Sequence, residues 1–98
     1  MKWDWKLTPP AEKDLTRIDR PIRARILDAL DQLALELSAD TPYPANTKKL
    51  TGMGDEWRLR VGDYRVRFKK ATLVVESGEL EGVIVVTHSR HRREAYRD

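Results

Sequence analysis

Cysteine is missing from the chain, which excludes disulfides, thiolate metal sites and catalysis by a cysteine nucleophile, and is compatible with a reducing compartment. Long apolar runs are missing too. None approaches the ~20 residues that a membrane span requires, and no basic-then-apolar leader opens the chain, so no membrane partner is expected and the expected location is the cytoplasm. Histidine is scarce: the two are His88 and His91. No carboxylate stands at ligand spacing from them, so neither a metal nor a cofactor is expected. No internal repeat or low-complexity tract appears. What remains is 98 residues, enough for one domain over 1–98 with a modest core that folds without a metal or cross-link.

Charge is abundant and unevenly placed. Nineteen Lys and Arg against sixteen Asp and Glu give a formal net charge of +3 and a sequence pI near 9.4. From Lys48 onward the basic residues gather, while the acids are spread through the first half. That asymmetry points toward nucleic acid.

Residues 2 to 7, Lys-Trp-Asp-Trp-Lys-Leu, alternate polar and apolar and read as a half-buried strand presenting Trp3, Trp5 and Leu7 to the core. Thr8 followed by Pro9 reads as a helix start, because the hydroxyl caps free amides and proline in the first turn forfeits no hydrogen bond. The predicted helix runs to about Ile18, buries Ala11, Leu15 and Ile18, and ends because Pro21 pushes Arg20 out of the helical region. A second helix carries Ile22, Ile26, Leu30, Leu33 and Leu37 on one stripe, with Arg23, Arg25, Asp28 and Glu36 outward. Residues 38 to 55, rich in proline, glycine and small polar residues, read as loop with at most a turn of helix. Leu73 to Val75 and Val83 to Val86 are strand material around a turn near Ser77-Gly78. Pairing symmetrically about that turn would oppose Val74 to Glu81, which predicts a bulge there. The expected fold is α+β: an N-terminal strand, a helical hairpin, then an antiparallel sheet of three or four strands with its apolar face under the helices.

Between Glu56 and Lys69 the register can be deduced. Gly62-Asp63 is a two-residue turn pair, so Val61 should face Tyr64, Leu59 face Val66 and Trp57 face Phe68 on the apolar side. Period-two alternation then sets Arg60 opposite Arg65 and Arg58 opposite Arg67 on the other side. Like charges directly opposite each other destabilise a ladder. For any single arginine a solvated strand face is the plainer reading; four in register argue for an anionic ligand, and a phosphate backbone is the commonest.

If the last strand pairs beside this hairpin, it delivers Arg90 and the basic tail to the same side, with Tyr96 in reach. Arginine holds phosphates bidentately and stays charged, so it can stabilise the transition state of phosphodiester transfer. Taken alone, Tyr96 is a terminal aromatic docked on the sheet; beside the arginines its ring is a platform for a base. Single-stranded RNA is recognised in this way, and its 2′-hydroxyl is an internal nucleophile that needs no metal. His88 and His91, beside a basic tail, fit a surface position more often than a catalytic one. They stay open as bases, since imidazole titrates near neutrality.

The run Lys49-Leu50-Thr51-Gly52, then Trp57-Arg58-Leu59-Arg60-Val61-Gly62-Asp63-Tyr64-Arg65-Val66, then Val86-Thr87-His88-Ser89-Arg90 with Tyr96 six residues on, resembles the RelE/ParE toxin superfamily, its RelE branch in particular. The ordered set, over almost the whole chain, carries the resemblance. It implies a RelE-like fold and a toxin of a type II toxin–antitoxin system: a ribosome-dependent endoribonuclease that cuts mRNA in the 30S A site, held inactive by an acidic, RelB-like antitoxin. The family's site residues fall on Arg58, Arg60, Arg65, Arg90 and Tyr96. Further basic residues expected to hold RNA are Lys48, Lys49, Arg67, Lys69, Arg92 and Arg93. Arg58 and Arg60 stand where the family often has lysine, and arginine is a poor general base. The other readings are a ParE-like poison of DNA gyrase, which shares the fold without nuclease activity, and a plain binding module.

Overall fold

The computed structural model describes residues 1–52 and 54–94. Strand β1 (Lys2–Leu7) exposes Lys2, Asp4 and Lys6 and turns Trp3, Trp5 and Leu7 onto the core. Thr8 then caps α1 (Pro9–Thr16), its Oγ1 accepting from Ala11 N at 3.3 Å. The helix stops short of the expected Ile18, because Arg17 N and Ile18 N donate to Asp14 O and Leu15 O, three residues back, a tightening that ends a helix. Ile18 is buried all the same. The break before α2 (Arg20–Ser38) lies at Asp19, extended at ψ 142°, and not at Arg20 as expected. Arg20 is helical because Pro21 sits in the first turn, where a missing N–H costs nothing. Helix α2 buries Ile26, Leu30, Leu33, Ala34 and Leu37.

The segment expected as loop contains a short strand, β2 (Thr47–Lys49). Three polar residues are too few for alternation to show. They are held by pairing with β3 (Glu56–Val61) and by Arg60 N donating to Asn46 O at 2.8 Å. Strand β3 and β4 (Tyr64–Val74) pair in the deduced register, from Glu56 opposite Lys69 to Val61 opposite Tyr64. Gly62 takes φ +57° at the turn, a conformation that costs glycine little. Strand β4 continues unbroken through Leu73 and Val74, then returns as β5 (Leu80–His91).

The β4–β5 turn departs from the symmetric expectation. Val75 N donates to Glu79 O at 3.0 Å and Gly78 sits at φ +85°, the pattern of a three-residue turn with a left-handed third position. Val74 therefore meets Leu80, and Leu73 meets Glu81. The bulge lies elsewhere: Phe68 pairs with Val86 but Arg67 pairs with His88, so Thr87 is the extra residue.

The sheet order is β1-β5-β4-β3-β2. Strands β2 to β5 are antiparallel, and β1 joins the β5 edge in parallel, from Lys2 opposite Glu81 to Leu7 opposite Val86. Leu59, Val61, Val66, Phe68, Ile84 and Val86 meet the buried stripe of the helices in one core, as the α+β expectation required. The arginine positions lie on the opposite side of the same strands. Among the described residues, no helix is long and apolar enough to cross a membrane.

Candidate functional site

Two rows of basic side chains cross the face away from the helices. One places Arg60, Arg65 and Arg90 side by side on β3, β4 and β5. The other runs Lys48, Arg58, Arg67 and His88 across β2 to β5. The bulge makes both rows complete. In strict alternation from Ile84 and Val86, His88 and Arg90 would point into the core; the extra residue at Thr87 reverses the phase and brings them out. Ser89 consequently turns inward, and is 2% exposed.

Acidic groups offset part of this charge. Glu56 forms an ion pair with Arg67. Asp14, on α1, lies 3.6 Å from Arg90 Nε. The same carboxylate accepts from Ser89 N at 3.1 Å, so α1 closes the edge of β5 beyond the end of β1. Among the described residues, no carboxylate ion-pairs with Arg60 or Arg65. The Arg65 guanidinium donates instead to the carbonyls of Gly62 and Tyr64 at 3.0 and 3.1 Å. The middle of the face thus keeps net positive charge aimed outward, suited to a phosphodiester.

The histidines, indistinguishable in sequence, separate in space. His91 lies on the helix side, edge-on to Tyr64 with ring centroids 5.5 Å apart, and its Nδ1 accepts from Arg93 N. His88 lies among the arginines. Burial, and then the Arg90 charge, hold its pKa below the usual imidazole value of 6.5; Arg67 acts in the same sense, while Asp14 and Glu56 oppose it. Its Nδ1 is 3.2 Å from Thr87 Oγ1, and that hydroxyl donates to Arg67 O at 3.3 Å.

Of the residues singled out in the sequence, Arg58, Arg60, Arg65, Arg67, Arg90 and Lys48 share the face, with Lys69 further along β4 opposite Glu56. Lys49 does not join them. It pairs with Trp57 on the other side, where its charge, after burial, lowers the pKa of Lys70, whose Nζ sits 3.8 Å over the Trp57 ring. Arg92 is tied to the β3–β4 turn, its N donating to Asp63 O at 2.7 Å, and Arg93 is exposed. Tyr96 lies outside the described residues. Sequence reasoning missed Asp14, whose contacts are with residues 75 and 76 positions away; only the fold brings them together.

Comparison with known proteins agrees with this architecture. Residues 5–96 match the family model described as ParE toxin of the type II toxin–antitoxin system, parDE. The fold is similar to a chain of the archaeal RelE–RelB complex from Pyrococcus horikoshii, at 27% identity and a TM-score of 0.63 over 97% of this chain and 100% of that one. It is also similar to a chain of the RelB–RelE antitoxin–toxin complex from Methanococcus jannaschii, at 21% identity and a TM-score of 0.61 over 92% and 93%. A third likeness, to the RelBE2 toxin–antitoxin complex of Mycobacterium tuberculosis, has 18% identity and a TM-score of 0.66 over 94% and 100%. None of the curated proteins matches the sequence. With a family model spanning nearly all of its length and the RelE-like fold in place, the chain belongs to the ParE toxin family of type II toxin–antitoxin systems, within the RelE/ParE superfamily.

Proposed function

We propose that the chain is a ribosome-dependent endoribonuclease that cuts mRNA in the 30S A site and thereby inhibits translation. The observation that carries this reading is the pair of basic rows, Arg60-Arg65-Arg90 and Lys48-Arg58-Arg67-His88, on one face. A gyrase-binding role does not call for such a cluster. Arg58, Arg60 and Arg65 hold the scissile phosphate and stabilise the charge that grows on it; Arg90 stands near the leaving oxygen, and Tyr96 orients a base. Lys48, Arg67, Lys69, Arg92 and Arg93 guide the RNA backbone, with Lys49 reaching it only from the sheet edge. The 2′-hydroxyl attacks its own phosphate, leaving a cyclic phosphate on one fragment and a 5′-hydroxyl on the other; no metal or cofactor takes part.

The partner that restrains it is an acidic, RelB-like antitoxin, a segment that folds on binding and meets the basic face by charge complementarity. The similar RelE–RelB complexes support a partner of this class. Ribosome and message place the working protein in the cytoplasm.

One observation favours a second reading: the family model that matches is that of ParE, so the chain would poison DNA gyrase without cutting RNA. Expression without a partner separates the two. Translation arrest with new mRNA ends mapped on translating ribosomes supports the nuclease. Normal protein synthesis alongside blocked DNA supercoiling moves the assignment to the gyrase class.

A further inference from the structure

Resting on the nuclease reading, the geometry points to His88 as the general base, with Nε2 taking the proton of the attacking 2′-hydroxyl of single-stranded RNA. Five arginines on this face supply charge but no proton acceptor, since guanidinium stays protonated at any biological pH. His88 sits directly across β4–β5 from Arg67 and two residues from Arg90, within the group of side chains that would hold the phosphate.

Its tautomer follows from the hydrogen bonds around it. The Thr87 hydroxyl spends its one hydrogen on Arg67 O, so Thr87 Oγ1 can only accept from His88 Nδ1. Nδ1 therefore carries the ring proton, and Nε2, on the far side of the ring, keeps its lone pair. A neighbour that fixes the proton on one nitrogen prepares the other as a base. The charges facing the ring are Arg67 from β4, Arg90 from β5, Glu56 from β3 and Asp14 from α1, with Arg58 beyond Arg67. Their balance, together with burial, favours the neutral form, so the acceptor is ready at neutral pH.

In the step itself, Nε2 removes the hydroxyl proton as the 2′-oxygen bonds to phosphorus. The bond from phosphorus to the 5′-oxygen breaks, its electron pair stays on that oxygen, and water supplies the proton that makes the 5′-hydroxyl. His88 returns its proton to solvent, and no electron is gained or lost overall.

Single-turnover cleavage on programmed ribosomes, at saturating protein and from about pH 5 to 8, tests this for the parent, His88→Ala, His91→Gln and Arg65→Ala. The parent rate should be level above about pH 6.5 and fall tenfold per unit on the acid side of the depressed pKa. His88→Ala should be roughly a hundredfold slower or more, lose the acid limb and recover in part with added imidazole, while His91→Gln keeps the parent profile. A slow His88→Ala that retains the acid limb and ignores imidazole would mark a structural role and overturn the inference. Parent-like His88→Ala beside inactive Arg65→Ala would overturn it while leaving the nuclease reading standing. No cleavage by any of them, the parent included, removes the nuclease reading and His88 with it.

Discussion

Asp14 and Arg90 meet across the join between α1 and β5, carboxylate Oδ2 to guanidinium Nε at 3.6 Å, while the same oxygen accepts from Ser89 N at 3.1 Å. One helical carboxylate therefore closes the edge of the sheet and steadies an arginine of the basic face. Asp14→Ala should lower stability by about 1–2 kcal/mol, because it strands a part-buried backbone N–H. Asp14→Asn keeps a carbonyl oxygen for Ser89 and should recover most of that, yet it releases Arg90. Urea midpoints of the two variants, compared with their cleavage rates, check both halves. Equal midpoints would mean that the bond to Ser89 contributes nothing.

Opposite faces of one strand should answer oppositely to substitution. Arg65→Ala is expected to abolish message cleavage with the unfolding midpoint unchanged or slightly raised, since it relieves like charge beside Arg60 and Arg90. Val66→Asp, one residue on and fully buried, puts a carboxylate into the core and should cost several kcal/mol, about enough to unfold a domain of this size. Circular dichroism and cleavage measured on both proteins decide it. An Arg65→Ala protein as active as the parent would remove that residue from the site.

Gly82 lies under the Trp3 ring so closely that a Cβ would come within 2.2–2.4 Å of three ring carbons. Gly82→Ala must push the indole off the sheet, loosening β1 from β5, with an expected loss of about 1–3 kcal/mol. Red-shifted tryptophan emission together with a lower thermal midpoint is the expected result. Parent-like values for both would mean that β1 is not held by this contact.

Stability should also depend on pH through His88. Its folded pKa lies below 6.5, whereas the unfolded chain titrates near the ordinary value of about 6.5. Between the two values the unfolded chain binds more protons, so stability is complete above about pH 6.5 and falls as pH drops toward the folded pKa. Urea midpoints between about pH 7.5 and 5.5 should decline less in His88→Gln than in the parent. Identical slopes would mean that the histidine is not shifted.

The β3–β4 hairpin was legible pair by pair because a two-residue turn and strict alternation leave one register. Both helices were legible from their apolar spacing and from Thr8-Pro9 and Pro21. The break at Asp19 was not, because proline is equally at home at a boundary and within a first turn. Strand β2 carries three polar residues and exists only because β3 offers an edge. The β4–β5 register was hidden for a different reason: the residue that shifts it, Thr87, looks in sequence like any other β-branched strand residue. Asp14 was invisible because its partners are distant in sequence. Although two histidines three positions apart must take opposite faces of a strand, only the bulge at Thr87 decides which of them joins the arginines.

Thr87 gives β5 something like a reading frame. Up to Val86 the even-numbered positions face the core; from His88 onward they face away from it. Pairing with β1 ends at that point as well, at Leu7 opposite Val86, so the frame changes where the edge of the strand passes from a strand to a helix. Losing the bulge while keeping Thr87 would not merely straighten the strand. Thr87 would then pair with Arg67, returning His88 and Arg90 to the interior and expelling Ser89, exchanging basic surface for buried charge without altering a single residue.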